Sequence, residues 1–109
     1  MTEEDFRALA LALPQATESS HMGQPDFRIR TKIFATIAPG ENRGMVKLTR
    51  EQQTLLAEAE PNIFTPVPGG WGVRGATHVH LAHADRASVT SALQMAWRNT
   101  APPSLARTL

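Results

Sequence analysis

The chain has 109 residues, 41% hydrophobic and 19% charged, with a net charge of +1, which predicts one domain spanning residues 1–109 with an ordinary core. It has no cysteine, which excludes disulfides, thiolate metal sites and cysteine nucleophiles and fits a cytoplasmic location. No apolar run reaches the roughly 18 residues of a membrane helix, and the acidic residues 1–5 are not typical of a secretory signal, so we expect no membrane association.

The first predicted element is a helix that begins after Thr2 and ends at Pro14. Thr2 is a good N-cap, Asp5 occupies the capping-box position, and apolar residues follow at i, i+3, i+4 and i+7. Proline cannot continue the helix. The polar residues 18–23 are then a candidate edge strand.

Residues 23–37 predict a hairpin of two short strands. In the first strand Phe27 and Ile29 share one face. In the second, strict alternation would place Lys32, Phe34 and Thr36 on the face opposite Ile33, Ala35 and Ile37. The turn at residues 30–31 is poor chemistry for a two-residue hairpin loop. A third strand is predicted at residues 45–48.

The second half predicts two further helices and a strand. Thr49 and Gln52 form a capping box for a helix whose apolar side we expect to contain Leu55, Leu56 and Ala59. A glycine-rich loop at 68–72, a strand at 77–81 and a long helix after residue 85 follow. Antiparallel hairpins bracketed by helices indicate an α+β fold, a two-layer sandwich in which an antiparallel sheet packs against helices.

Several landmarks occur in a characteristic order along the chain. They are residues 21–27 (HMGQPDF), 32–35 (KIFA), 46–48 (VKL), 66–75 around a tryptophan, and 96–98 (AWR) followed by Ala-Pro at 101–102. In this order they resemble the MmcQ/YjbR family of small bacterial proteins over nearly the whole chain. The resemblance implies a CyaY-like fold and a proposed double-wing arrangement for DNA binding. The family often has glycine where this chain has Thr31, a residue that disfavours a positive φ.

Positive charge is concentrated in residues 28–50, which hold six basic residues against one acidic residue. This pattern fits either a solvated sheet face or a surface that binds anions. With the resemblance, it predicts a non-catalytic DNA-binding protein that contacts phosphates without any cofactor. The candidate contacts are Arg28, Arg30, Lys32, Arg43 and Lys47.

An alternative function is a protein-interaction or small-ligand module that uses the loop of Trp71, which either covers the core or presents its ring. His21 is a second candidate for this role, although it also fits a purely structural turn. His78 and His80 lie at a spacing that puts two imidazoles on one strand face, but no third ligand is evident and no metal is expected. No nucleophile motif or paired acid and base indicates an enzyme.

Overall fold

The computed structural model describes all 109 residues. Six strands form one antiparallel sheet in the order β1-β2-β3-β4-β6-β5, and five α-helices accompany it. In chain order the elements are α1 (Glu3–Leu11), β1 (Ala16–His21), β2 (Gln24–Ile29), β3 (Lys32–Ala38), β4 (Arg43–Lys47), α2 (Arg50–Ala59), β5 (Phe64–Pro66), α3 (Gly70–Val73), β6 (Ala76–His80), a 3₁₀ turn (Leu81–His83), α4 (Arg86–Thr100) and α5 (Pro103–Ala106). The predicted α+β class is confirmed, as are the edge strand β1 and both capping boxes.

The core lies between the sheet and the helices α1 and α4. Phe6 of α1 meets Phe27 of β2 edge to face, with ring centroids 6.3 Å apart. Trp97 of α4 is fully buried, and its indole nitrogen donates a hydrogen bond of 3.0 Å to the carbonyl oxygen of Pro14. Gly44 of β4 makes room for the first of these rings, because a Cβ there would lie 2.7 Å from Phe6. Because the Phe6 ring packs directly against a glycine, α1 lies close to the sheet.

The opposite face of the sheet is half-exposed and mostly polar. One row of paired residues crosses it from β2 to β5, namely Asp26, Thr36, Met45, His78 and Thr65. Apart from the fully buried Asp26, each member of this row is only half-buried. A sheet with one covered and one solvated face is the usual antiparallel arrangement.

The predicted alternation in β3 is wrong at Phe34, which is fully buried. Phe27 pairs with Ala35, but Arg28 pairs with Ile33, so Phe34 is an extra residue at a shift of register. An inserted residue breaks the two-residue period, and Phe34 and Ala35 are therefore both buried.

The two shortest hairpin turns, β1–β2 and β2–β3, obtain their positive φ angles from different residues. Between β1 and β2, Met22 and Gly23 have φ of 53° and 80°. Between β2 and β3 the loop is the two-residue turn predicted, but the positive φ of 58° lies at Arg30. Thr31 therefore avoids the conformation that a β-branched residue disfavours.

The predicted apolar side of α2 is wrong at Leu55, which is 61% exposed, and at Ala59, which is also exposed. The buried residue of this helix is Gln53, and Leu56 packs at the margin of the core. None of the helices is long and apolar enough to cross a membrane.

Candidate nucleic-acid interface

Four cationic side chains gather at one end of the sheet, where the β2–β3 turn, the end of β4 and the start of β6 meet. We call this surface the basic end and define it by Arg30, Lys32, Lys47 and Arg74. Three adjoining clefts of about 300, 430 and 400 Å³ cover it and share Asn99 and Thr100 of α4. The residues that line these clefts include all four cations and no aspartate or glutamate.

The cations of the basic end are free of ion pairs. Salt bridges in this chain involve Arg7, Arg28 and Arg43, and none of the four cluster members. Arg30, Lys32 and Arg74 are exposed, while Lys47 is half-buried. The surface therefore carries uncompensated positive charge, which attracts anions over a distance of about 10 Å at moderate salt.

Trp71 stands beside this charge and is 61% exposed. The Nζ atom of Lys47 lies 5.7 Å from the centroid of the indole ring, within the range of a cation–π contact. Trp71 also lines the cleft of about 300 Å³ together with Leu48 and Arg74. Of the two alternatives that the sequence left open for this residue, the structure has the ring presented to solvent.

Glycines explain why the chain can present Trp71 on the short helix α3. Gly69 precedes the helix with a φ of 84°. A Cβ on Gly72 would lie 1.6 Å from the carbonyl oxygen of Val67, and one on Gly75 would lie 1.9 Å from that of Leu48. Only residues without a Cβ permit such close backbone approach.

Two amides and one arginine tie this region to its neighbours. The buried Nε2 of Gln53 donates to the carbonyl oxygens of Gly72 and Ala76, both at 2.9 Å. Asn99 donates to the carbonyl oxygen of Lys47 at 3.2 Å, and Arg50 donates to that of Val73 at 3.0 Å. The end of β4, the start of α2 and the end of α4 are thereby held around α3.

Arg28 and Arg43, both candidate phosphate contacts, lie outside the basic end. Arg28 is on the half-exposed sheet face, where its Nε and Nη2 donate to the buried carboxylate of Asp26 at 2.7 and 3.1 Å. These hydrogen bonds raise the pKa of Arg28 above its usual value. Arg43 pairs with Glu41 at 3.1 Å at the opposite end of the sheet. Both charges are thus matched within the chain.

His21 and Trp71, the two candidates for a ligand or partner loop, are not brought together. His21 ends β1 opposite Gln24, at the end of the sheet that carries the β3–β4 turn. Trp71 lies at the other end, next to Lys47. His21 is exposed on an edge strand and contributes nothing to the clefts of the basic end.

His78 and His80 share one sheet face as alternation predicts, with ring centroids 6.1 Å apart. Burial, followed by the charges of Arg43 and His80, lowers the pKa of His78. His80 forms a hydrogen bond of 2.7 Å with the hydroxyl of Thr65. No group of three or more histidine, cysteine, aspartate or glutamate side chains is arranged to hold a metal ion.

Sequence reasoning missed Arg74, Asn99 and Gln53 as members or supports of this site. Arg74 is one of four arginines in residues 51–109, which hold equal numbers of basic and acidic residues, and nothing in its local sequence distinguishes it. It joins Lys47 because β6, which follows it, pairs with β4. The glycines at 69, 70, 72 and 75 were the available signal, since they mark a tight backbone next to an aromatic residue.

Comparison with known proteins gives a family and a structural neighbour. The YjbR family model matches residues 11–99. The crystal structure of Deinococcus radiodurans protein DR2400, a DUF419 domain protein, has a TM-score of 0.75 to this chain at 17% identity and covers 90% of this chain and 77% of that one. No curated protein matches the chain. The structural neighbour supports the fold, and the family match over most of the chain shows that this protein belongs to the YjbR family.

Proposed function

We propose that this protein binds nucleic acid through its phosphate backbone at the basic end and has no catalytic activity of its own. The observation that carries the proposal is the group of four cations without ion pairs, in clefts that no acidic residue lines. Cations clustered on one surface are the electrostatic signature of nucleic-acid binding. Their concentration at one end matters more than the overall charge of +1.

Backbone binding of this kind has a characteristic dependence on salt. Each neutralised phosphate releases counterions, so the logarithm of the affinity falls with the logarithm of the salt concentration. If all four cations contact phosphates, a rise from 50 to 200 mM salt should weaken binding about 150-fold for duplex DNA and about 50-fold for a single strand. A slope this steep would separate charge-driven binding from binding by apolar contact.

A non-catalytic role is supported by the side chains of the basic end. The three clefts are lined by no histidine, aspartate, glutamate or cysteine, and histidine and the carboxylates are the side chains that most often act as general bases. A cytoplasmic location remains part of the proposal and rests on the absence of cysteine. Cell fractionation would test that location.

The experiment is a titration of labelled single-stranded and duplex DNA followed by fluorescence anisotropy at several salt concentrations. The variant Lys32→Ala/Arg74→Ala removes two exposed charges of the basic end. We expect it to halve the salt slope and to weaken binding by about tenfold or more at 50 mM salt.

The matched control is Arg43→Ala/Arg86→Ala, which removes the same charge at the other end of the molecule. It should keep the salt slope of the wild type. Equal losses of DNA affinity in the two variants would mean that binding depends only on net charge, which would contradict a site at the basic end. Absence of binding at low salt would refute the proposed function.

A second candidate function is recognition of a protein or small ligand at the Trp71 cleft. The supporting observation is a cleft of about 300 Å³ that is lined by the exposed indole together with Leu48 and Ala76. Exposed aromatic surface of this kind often marks an interaction site. Such binding would change little with salt and would be lost in Trp71→Ala but retained in Arg30→Ala/Lys32→Ala, whose side chains do not line that cleft.

A further inference from the structure

The two tryptophans of this chain have opposite environments. Trp97 is fully buried and its N–H is satisfied by the carbonyl oxygen of Pro14. Trp71 is 61% exposed on a four-residue helix and contributes nothing to the buried core. Packing therefore accounts for Trp97 but not for Trp71, whose ring gains little from its own chain.

The backbone that carries the exposed ring is tightly held. Gly72 and Gly75 pack their backbones directly against the carbonyl groups of Val67 and Leu48. Gln53 donates hydrogen bonds to the carbonyl oxygens of Gly72 in α3 and Ala76 at the start of β6, on either side of the connection between these elements. A ring on a fixed backbone loses less conformational freedom when a ligand stacks on it than a ring on a mobile loop.

The charges around Trp71 indicate what kind of ligand fits. Lys47 lies against the ring and Arg74 lines the same cleft, while Arg30 and Lys32 continue the positive surface along the adjoining clefts. The exposed face of the indole ring next to these cations is complementary to a nucleotide base and the phosphates that follow it along a strand. In a duplex both faces of every base are covered by its neighbours, whereas a single strand can place a base on an aromatic ring.

We infer that Trp71 is a stacking site for an unpaired base, so that the preferred ligand of the basic end is single-stranded nucleic acid. This inference rests on the proposed function and adds the class of ligand. Lys47 and Arg74 hold the phosphates next to the stacked base, and Arg30 and Lys32 hold those further along. No base-specific hydrogen bond is required, so binding tolerates any sequence.

The test compares three ligands of equal length with the wild-type protein at one low salt concentration. They are an oligothymidylate of about eight nucleotides, an abasic oligonucleotide with the same phosphates, and a duplex. Stacking is worth about 5- to 150-fold per base, so the oligothymidylate should bind more tightly than the abasic strand by a factor in this range. It should also bind more tightly than the duplex and quench tryptophan fluorescence.

Variants then assign the effect to the ring. Trp71→Ala should bind the oligothymidylate and the abasic strand equally, with the abasic affinity unchanged. Trp71→Phe should restore part of the difference. Lys32→Ala/Arg74→Ala should weaken both strands by the same factor, because it removes phosphate contacts alone. Fluorescence of the buried Trp97 reports whether each variant is folded.

The outcomes separate the inference from the proposed function. Equal binding of the oligothymidylate and the abasic strand by the wild type would overturn stacking, and tighter binding of the duplex would overturn the preference for single strands. Either result would leave backbone binding intact. Failure of every ligand to bind at low salt would overturn both. The comparison of ligands uses the wild-type protein, so it holds even if a variant fails to fold.

Discussion

Gln53 links helix α2 to the backbone that presents Trp71. The residue is only 5% exposed, and its Nε2 lies 2.9 Å from the carbonyl oxygens of Gly72 and Ala76. Replacement by methionine keeps the length of the side chain and removes both donors. The change therefore isolates the two hydrogen bonds from the packing around them.

The cost follows from what else those carbonyls contact. Two buried carbonyls without any partner would cost about 2–6 kcal/mol. Here the carbonyl of Gly72 also accepts from the Gly75 N–H, and that of Ala76 from the Val67 N–H, both at 3.0 Å. Each carbonyl therefore keeps one partner, and we expect Gln53→Met to cost about 2 kcal/mol, near 1 kcal/mol for each hydrogen bond.

Gln53→Glu is a sharper change because it turns the donor into an acceptor that faces two carbonyl oxygens. At pH 7 an unpaired buried charge should cost about 3–5 kcal/mol. Burial beside the carbonyl dipoles raises the pKa of the introduced carboxyl in the folded state above its unfolded value of about 4.3. The penalty is therefore small below pH 4 and grows as pH rises through the folded pKa.

Urea denaturation followed by circular dichroism measures these differences directly. Gln94→Met is the control, since it makes the same chemical change on α4 at a half-exposed position. A loss below about 0.5 kcal/mol for Gln53→Met would refute the role assigned to the amide. So would a Gln53→Glu protein that is as stable as Gln53→Met at pH 7.

Three further predictions concern other parts of the molecule. Arg28→Ala leaves the buried carboxylate of Asp26 unpaired, so it should lower the urea midpoint and keep the salt slope of DNA binding; a reduced slope would place Arg28 in the interface. Gly75→Ala should cost at least about 2 kcal/mol in thermal unfolding, because φ is 113° and the new Cβ would meet the Leu48 carbonyl; a loss under about 0.5 kcal/mol would contradict that packing. Burial above all lowers the pKa of His78, so an NMR titration should find that pKa below 6.5, and a value at or above 6.5 would refute the prediction. The stabilising contribution of the neutral imidazole should be full above pH 6.5 and lost as pH falls through the folded pKa, and His78→Gln should flatten that decline.

Local signals in the sequence predicted much of the fold. The capping boxes at Thr2 and Thr49 involve residues three positions apart, and both are present. Alternation predicted the shared face of His78 and His80. These features depend on backbone geometry within a few residues, so they can be read without knowledge of the tertiary structure.

The errors arise where distant contacts decide the outcome. Phe34 is buried because the pairing of β2 with β3 shifts by one residue, which no periodicity in β3 alone reveals. Leu55 is exposed because α2 turns Gln53 inward, where two carbonyls of the α3 region accept its hydrogen bonds. In that position a polar residue with satisfied donors replaces the expected apolar one.

The candidate site divides in the same way. By itself the sequence determined the α+β class, the family resemblance and the basic character of the strands around residues 28–47. Only the tertiary structure decided which of those charges remain unpaired: Asp26 and Glu41 match Arg28 and Arg43, while the pairing of β4 with β6 brings Arg74 to Lys47. The physical reason is that charge is counted along the chain, whereas its neutralisation depends on distances of a few ångströms between residues from different strands and turns.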